Sequence, residues 1–259
     1  MDNVHLVGGL DVAELTVYAF FAFFLGLVIY LRREDRREGY PLEDDLSGRL
    51  YPVDSPIQVA TPKTFRMPHG LPDVTTPTRD REAPVPANAA RTSPFSGSPL
   101  VPIGDPLAAG VGPGAWAARA DRPDLDFEGH PRIVPIGSTH GVTILAGDRD
   151  PRGLAVVGAD GSTAGTVSDL WVDKADHLIR YLAVSLANGA GTVLVPMTMA
   201  KVQPGRNRVV VSAVTAAQFA GAPRLAADQQ ITLLEEEKIV AYFGAGYLYA
   251  TPDRAEPLI

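Results

Sequence analysis

The sequence predicts a single N-terminal transmembrane α-helix followed by an α+β, mainly β cytoplasmic part, in which an extended strap leads into a small antiparallel β-barrel with a C-terminal helix. Three observations carry this. Leu15 to Leu31 reads LTVYAFFAFFLGLVIYL without one charge, 17 of the 23 prolines fall between Pro41 and Pro135, and short β-rich runs separated by Gly, Asp or Asn begin near Arg132. The expected divisions are a periplasmic tail at 1–11, the membrane helix at 12–31, the strap at 32–130 and the barrel with its closing helix at 131–259.

The apolar run spans roughly 25 Å at helical rise, and adding Val12 to Glu14 brings it to bilayer thickness. No positive n-region or small-residue cleavage site marks it as a secretory signal. Asp2, Asp11 and Glu14 precede the run, whereas Arg32, Arg33, Arg36 and Arg37 follow it. Basic residues remain on the cytoplasmic side, so the large C-terminal part is expected there. Tyr18 and Tyr30 lie near the two ends, where amphipathic rings favour the interface.

Proline recurs at short intervals from 38 to about 135, which blocks both long helices and central strands. Leu50, Tyr51, Ile57, Phe65, Met67, Phe95, Val101, Ile103 and Trp116 are sprinkled through it. Such side chains suit a strap lying on a partner surface, because a solvated linker has no use for them. Thr75 to Ser98 has the composition of a disordered linker.

Beyond Arg132, strands are expected at His140–Leu145, Gly153–Val157, Gly165–Val172, Ile179–Leu186, Thr192–Pro196 and Arg208–Val214. Asp160-Gly161 and Asn188-Gly189 read as hairpin turns. A short helix is expected at Thr215–Ala220 and a longer one at Ile231–Tyr249, with Glu235, Glu236 and Glu237 early, where the helix dipole favours acids.

Zero Cys excludes disulfides, thiolate catalysis and cysteine metal sites. A formal charge of −7 and a pI near 5.2 argue against nucleic-acid binding. Gly110-Val111-Gly112-Pro113-Gly114 lacks the Lys-Ser/Thr and helix of a phosphate loop. In Asp121 to His130, the residues Asp124, Asp126, Glu128 and His130 recur at every second position, which would align them on one face of an extended chain, able to bind a divalent cation or exchange protons with water. A calcium loop fails at its twelfth position, Pro135. Asp169, Asp173, Asp176 and His177 form a second group, whose carboxylates could raise one another's pKa toward neutrality if partly buried. Either group could equally be an ordinary solvated turn.

Several blocks together resemble the H subunit of purple bacterial photosynthetic reaction centres, a PRC-barrel family: RREGYPLE at Arg36–Glu43, PKTFRMPHG at Pro62–Gly70, GDPLAAGVGPGAW at Gly104–Trp116, DLWVD at Asp169–Asp173, VPMTMAKV at Val195–Val202, FAGAP at Phe219–Pro223 and LLEEEKIVAYFGAGYLYA at Leu233–Ala250. The resemblance implies a non-catalytic subunit in a bacterial inner, intracytoplasmic membrane. It would cap the cytoplasmic face of partner L and M subunits, within a core light-harvesting antenna ring and membrane lipids, and conduct protons to the secondary quinone. Bacteriochlorophyll, bacteriopheophytin, quinones and non-haem iron would belong to the partners and none to this chain. The implied proton-uptake residues are Asp126, Glu128 and His130, where Glu128 stands for a family histidine and leaves at most a weak divalent site. The implied inner relay is Asp173, Asp176 and Arg180, with Asp176 one methylene shorter than the family's glutamate. Other readings are a membrane-tethered PRC-barrel adaptor binding protein or RNA, and a membrane-anchored hydrolase, for which no nucleophile is recognisable.

Overall fold

A computed structural model describes residues 5–7, 10–51, 59–78 and 87–255. The anchor Ile57, much of the tail including Asp2, and residues 79–86 of the linker-like stretch lie outside the described residues. The chain divides into two compact units: residues 1–83 with 95–97, and residues 84–94 with 98–259. Residues 98–130, which the sequence alone groups with the strap, therefore belong to the unit that contains the large sheet.

In the first unit, β1 (His5–Val7) pairs antiparallel with β2 (Leu10–Asp11). Asp11 then caps α1 (Val12–Glu34) by accepting the Glu14 N–H at 2.8 Å. The side chains of α1 are exposed along the apolar run, as a helix solvated by lipid requires. The helix continues one turn past Leu31, because Arg32 and Arg33 complement the negative end of its dipole.

Two arginines then tie down the following chain. Arg33 Nε donates to the Val59 carbonyl at 3.2 Å, and Arg37 donates to the Thr61 and Thr76 carbonyls, each at 2.9 Å. Glu34 bridges Arg37 at 2.8 Å and Lys63 at 2.9 Å. Thr61 precedes and Thr76 ends a short hairpin, β3 (Lys63–Phe65) with β4 (Val74–Thr76). Leu50, Tyr51, Phe65 and Phe95 remain exposed.

The second unit begins with the hairpin β5 (Ala89–Arg91) and β6 (Leu100–Pro102). Its main sheet contains β7 (Ile133–Pro135), β8 (Ala155–Val157), β9 (Thr163–Asp173), β10 (Leu178–Leu186), β11 (Thr192–Pro196), β12 (Ala200–Gln203) and β13 (Arg208–Val211). The order is β11-β10-β9-β8-β13-β12, with β7 also paired to β9. All these pairings are antiparallel except β8 with β13. The β8–β9 connection turns at Asp160-Gly161 with Gly161 at φ +76°, and Gly189 at φ +69° turns β10 into β11, as the sequence predicts.

His140–Leu145 forms no strand. Gly141 and Gly147 hold φ +90° and +103°, a conformation that breaks a pleat, and the segment runs as a loop. The last expected strand stops at Val211, and Ala213 and Val214 continue into the core as irregular backbone. Residues Ala216–Gly221 form a 3-10 turn whose Gln218 side chain accepts the Thr215 N–H at 2.8 Å.

Helix α2 (Leu233–Tyr249) starts two residues after the expected Ile231, since Ile231 is buried and Thr232 serves as N-cap. Thr232 and Glu235 make a reciprocal capping box, 3.1 and 2.8 Å. Ile239 and Phe243 are fully buried against the sheet core, and Phe243 meets Phe219 edge to face at 5.7 Å. On the other side Gly244 and Ala245 receive the turn Gly112–Gly114, where a Cβ on Gly114 would come within 2.9 Å of Ala245 Cβ.

Candidate functional site

The first candidate group sits on a tight hairpin turn instead of an extended face. The Asp126 N–H donates to the His130 carbonyl at 2.9 Å, the Gly129 N–H to the Asp126 carbonyl at 3.0 Å, and Leu125 bridges Pro131. Gly129 takes φ +86°, which permits the reversal. Asp126 organises the turn from inside, its Oδ1 accepting the N–H groups of Glu128 at 3.0 Å and His130 at 2.9 Å. Glu128 and His130 are exposed, 3.6 Å apart.

Lys174, on the turn between β9 and β10, reaches this loop and places Nζ 2.7 Å from Asp126 Oδ2. That ammonium, with the two N–H groups, holds the Asp126 carboxyl at about 2 against the opposing effect of burial. Donor atoms of Asp126, Glu128 and His130 lie within 4.8 Å of one another, near enough for one cation. Asp126 Oδ2 already pairs with the Lys174 ammonium, whose charge opposes a divalent ion at this carboxylate.

The second group is assembled by a residue that the sequence reading passes over. Arg132 immediately precedes β7, whose Ile133 is in register with Asp173 of β9. Its guanidinium bonds Asp173 through Nε at 2.8 Å, makes a close contact with Asp176, and lies 3.6 Å from Asp124. Asp173 is 1% exposed, and it also accepts the N–H groups of Ala175 at 3.0 Å and Asp176 at 3.1 Å. Burial opposes its ionisation, but Arg132 and these N–H groups outweigh burial and hold the carboxyl below the usual carboxylate range. The expected mutual raising of pKa values therefore does not operate at Asp173, because a cation sits among the acids.

Asp169 and His177 stand apart from this cluster. Asp169 accepts the Leu170 N–H at 2.8 Å and its charge acts on Arg152. His177 is exposed at φ +54° in the β9–β10 turn.

A cleft of about 300 Å³ runs from Arg132, Asp124 and Asp173 to Arg180, Tyr181 and Glu236. Tyr181 donates to Glu236 Oε2 at 2.8 Å. Among the described residues, Glu236 is the group whose carboxyl is raised: burial pushes it up, the nearby Asp124 and Asp173 charges add to this, and the Tyr181 bond and Arg180 oppose it. At the rim, Glu237 pairs with Arg119 at 2.8 Å. Arg132 thus joins Asp173 to Asp176, the cleft sets Asp173 beside Arg180 and Glu236, and Lys174, next to Asp173 in the chain, reaches Asp126.

A signal for each addition exists in the sequence. Arg132 continues the alternation 124, 126, 128, 130, and Glu236 shares the 3.6-residue stripe of Ile239 and Phe243, an acid on a buried helix face.

Comparison with known families gives two matches. Residues 4–138 match the photosynthetic reaction centre, H-chain N-terminal region, and residues 145–218 match the PRC-barrel domain. The first match covers just over half of the 259 residues. The second begins ahead of β8 and ends inside the 3-10 turn at 216–221. One apolar helix followed by a mainly β unit with a PRC-barrel and a closing helix is the architecture that results.

Proposed function

Because the chain belongs to the reaction-centre H-chain family, we propose that it caps the cytoplasmic face of partner L and M subunits, stabilises their quinone sites and conducts protons from the cytoplasm to the secondary quinone. It performs no turnover of its own, and the pigments, quinones and non-haem iron reside in the partners. An antenna ring and membrane lipids surround it, and nucleic acid is not a partner. Its place is the bacterial inner membrane, with the tail periplasmic and everything after α1 cytoplasmic.

The observation that supports the proton role is the set of three polar groups between the exposed turn and the cleft: Asp126 with Lys174, Arg132 with Asp124, Asp173 and Asp176, and Glu236 with Tyr181. Its members divide the work. Asp126 and Asp173 stay ionised and supply negative potential. Glu128 and His130, exposed at the turn, exchange protons with water. Glu236, with its raised carboxyl, is the group able to hold a proton inside the cleft and release it again. Arg180 limits how far that carboxyl rises, which keeps release feasible.

The test is flash-induced quinone kinetics in complexes carrying variants of this chain. Asp176→Asn and Glu236→Gln should each slow the proton-coupled second electron transfer by about tenfold, below the ~10²–10⁴ of an obligatory proton group because water offers a bypass. The first transfer, which takes up no proton at the quinone, should change much less. Removing Asp126, Glu128 and His130 together should slow the second transfer more than the single changes suggest. Unchanged second-transfer rates in all of these variants would leave the chain a purely structural role.

A further inference from the structure

Strand β10 departs from regular pairing where it meets the cleft. Ile179 stands opposite Val172 and Tyr181 opposite Trp171, so Arg180 is an extra residue relative to β9, a β-bulge. In a regular strand, consecutive side chains point to opposite faces of the sheet. Here the consecutive residues Arg180 and Tyr181 line the same cleft, the first exposed and the second buried. The bulge thus delivers two neighbouring side chains to one acid, Glu236.

The other charged groups of the cleft are largely spent on one another. Arg132 holds Asp124, Asp173 and Asp176, and Arg119 pairs with Glu237. Arg180 acts on Glu236 through its charge, against the charges of Asp124 and Asp173. Tyr181 differs from all of these. Among the described residues its hydroxyl is the one hydrogen-bond donor to the Glu236 carboxyl, at 2.8 Å, and Tyr181 is 3% exposed. Burial and the Glu236 charge push the phenol up, so the hydroxyl keeps its proton and serves as a fixed donor. A hydrogen bond to an ionised acceptor is stronger than the same bond to a neutral one, so this donor favours the state of Glu236 that has released its proton.

We propose that Tyr181 is a positioning residue for proton transfer: it anchors one oxygen of the Glu236 carboxyl, leaves the other to accept and return the proton, and keeps the release step favourable. This role rests on the proton-conducting function proposed above. The Tyr181 ring is in register with Trp171 on one side and Pro196 on the other and belongs to the core, so Y181F removes the donor and keeps the packing.

The test uses the assembled membrane complex with two readouts. The first is an infrared pH titration of the Glu236 carboxyl, its band assigned by its loss in E236Q. Y181F should raise the proton affinity of this group by about tenfold, the difference expected between a charge-assisted and a neutral hydrogen bond. The second is the pH profile of the proton-coupled second electron transfer. Its alkaline decline should move up by about one pH unit, and its plateau should fall by at most about tenfold because release is harder. R180Q, which removes a charge and no hydrogen bond to Glu236, should move both readouts in the same direction. The difference between R180Q and wild type should shrink at high ionic strength, whereas that between Y181F and wild type should persist.

An infrared titration of Y181F that superimposes on the wild type would overturn the assignment. Failure of the Y181F complex to assemble would make the hydroxyl structural and overturn it as well. A shifted titration with second-transfer rates unchanged in both Y181F and E236Q would overturn the proton-conducting function itself, and the positioning role with it.

Discussion

At Asp126, one carboxylate closes a hairpin turn and binds the ammonium of another loop. Its depressed pKa sets a pH window. The stabilisation is fully present above the unfolded-state value of about 4 and is lost as pH falls toward about 2. In Asp126→Asn the amide oxygen can still accept the two N–H bonds but no longer pairs with a charge. The protection of the Glu128 and His130 amides, exchange rates taken relative to the intrinsic rate at each pH, should therefore fall between about pH 4 and 2 in the wild type and stay constant across that window in the variant. Wild-type protection that is flat across that window would remove Lys174 from the account. The acids and their spacing are legible in the sequence, but the turn is not, because alternation describes a pleated chain only when no side chain competes for backbone N–H groups. Arg132 changes the electrostatics of the second group for a similar reason: a cation from a distant strand arrives by sheet register, which composition does not reveal.

Among the elements, α2 shows how close packing is made possible by missing side chains. A Cβ on Gly246 would stand 2.3 Å from the Ala213 carbonyl oxygen and 2.6 Å from Val214 Cγ1. Gly246→Ala should lower the denaturation midpoint of the intact chain by an amount equivalent to about 1–3 kcal/mol, despite alanine's better helix propensity. A gain in stability would mean that the helix sits farther from the sheet than these distances state. Helix α2 and strands β9, β10 and β11 are readable from periodicity and turn residues, since each buries a regular face. The parallel pairing of β8 with β13 is not, because it depends on where a later strand inserts between earlier ones. Loop 139–152 imitates a strand by its β-branched residues until its glycines are given their backbone angles.

For the whole molecule, the distribution of charge about α1 predicts which side of the membrane each part occupies. Protease added to inside-out vesicles should remove everything after α1, and intact spheroplasts should protect it. Exposure only in right-side-out preparations would reverse the orientation. Beyond α1, Arg33 and Arg37 grip the carbonyls of Val59, Thr61 and Thr76, and a carbonyl is the one polar group that every residue type possesses, proline included. A clamp of that kind reads side-chain identity only at Thr61, whose hydroxyl also accepts from Arg33 Nη2 at 3.3 Å. Elsewhere, substitutions can accumulate at the gripped positions over evolutionary time while the attachment persists, provided the two arginines are kept.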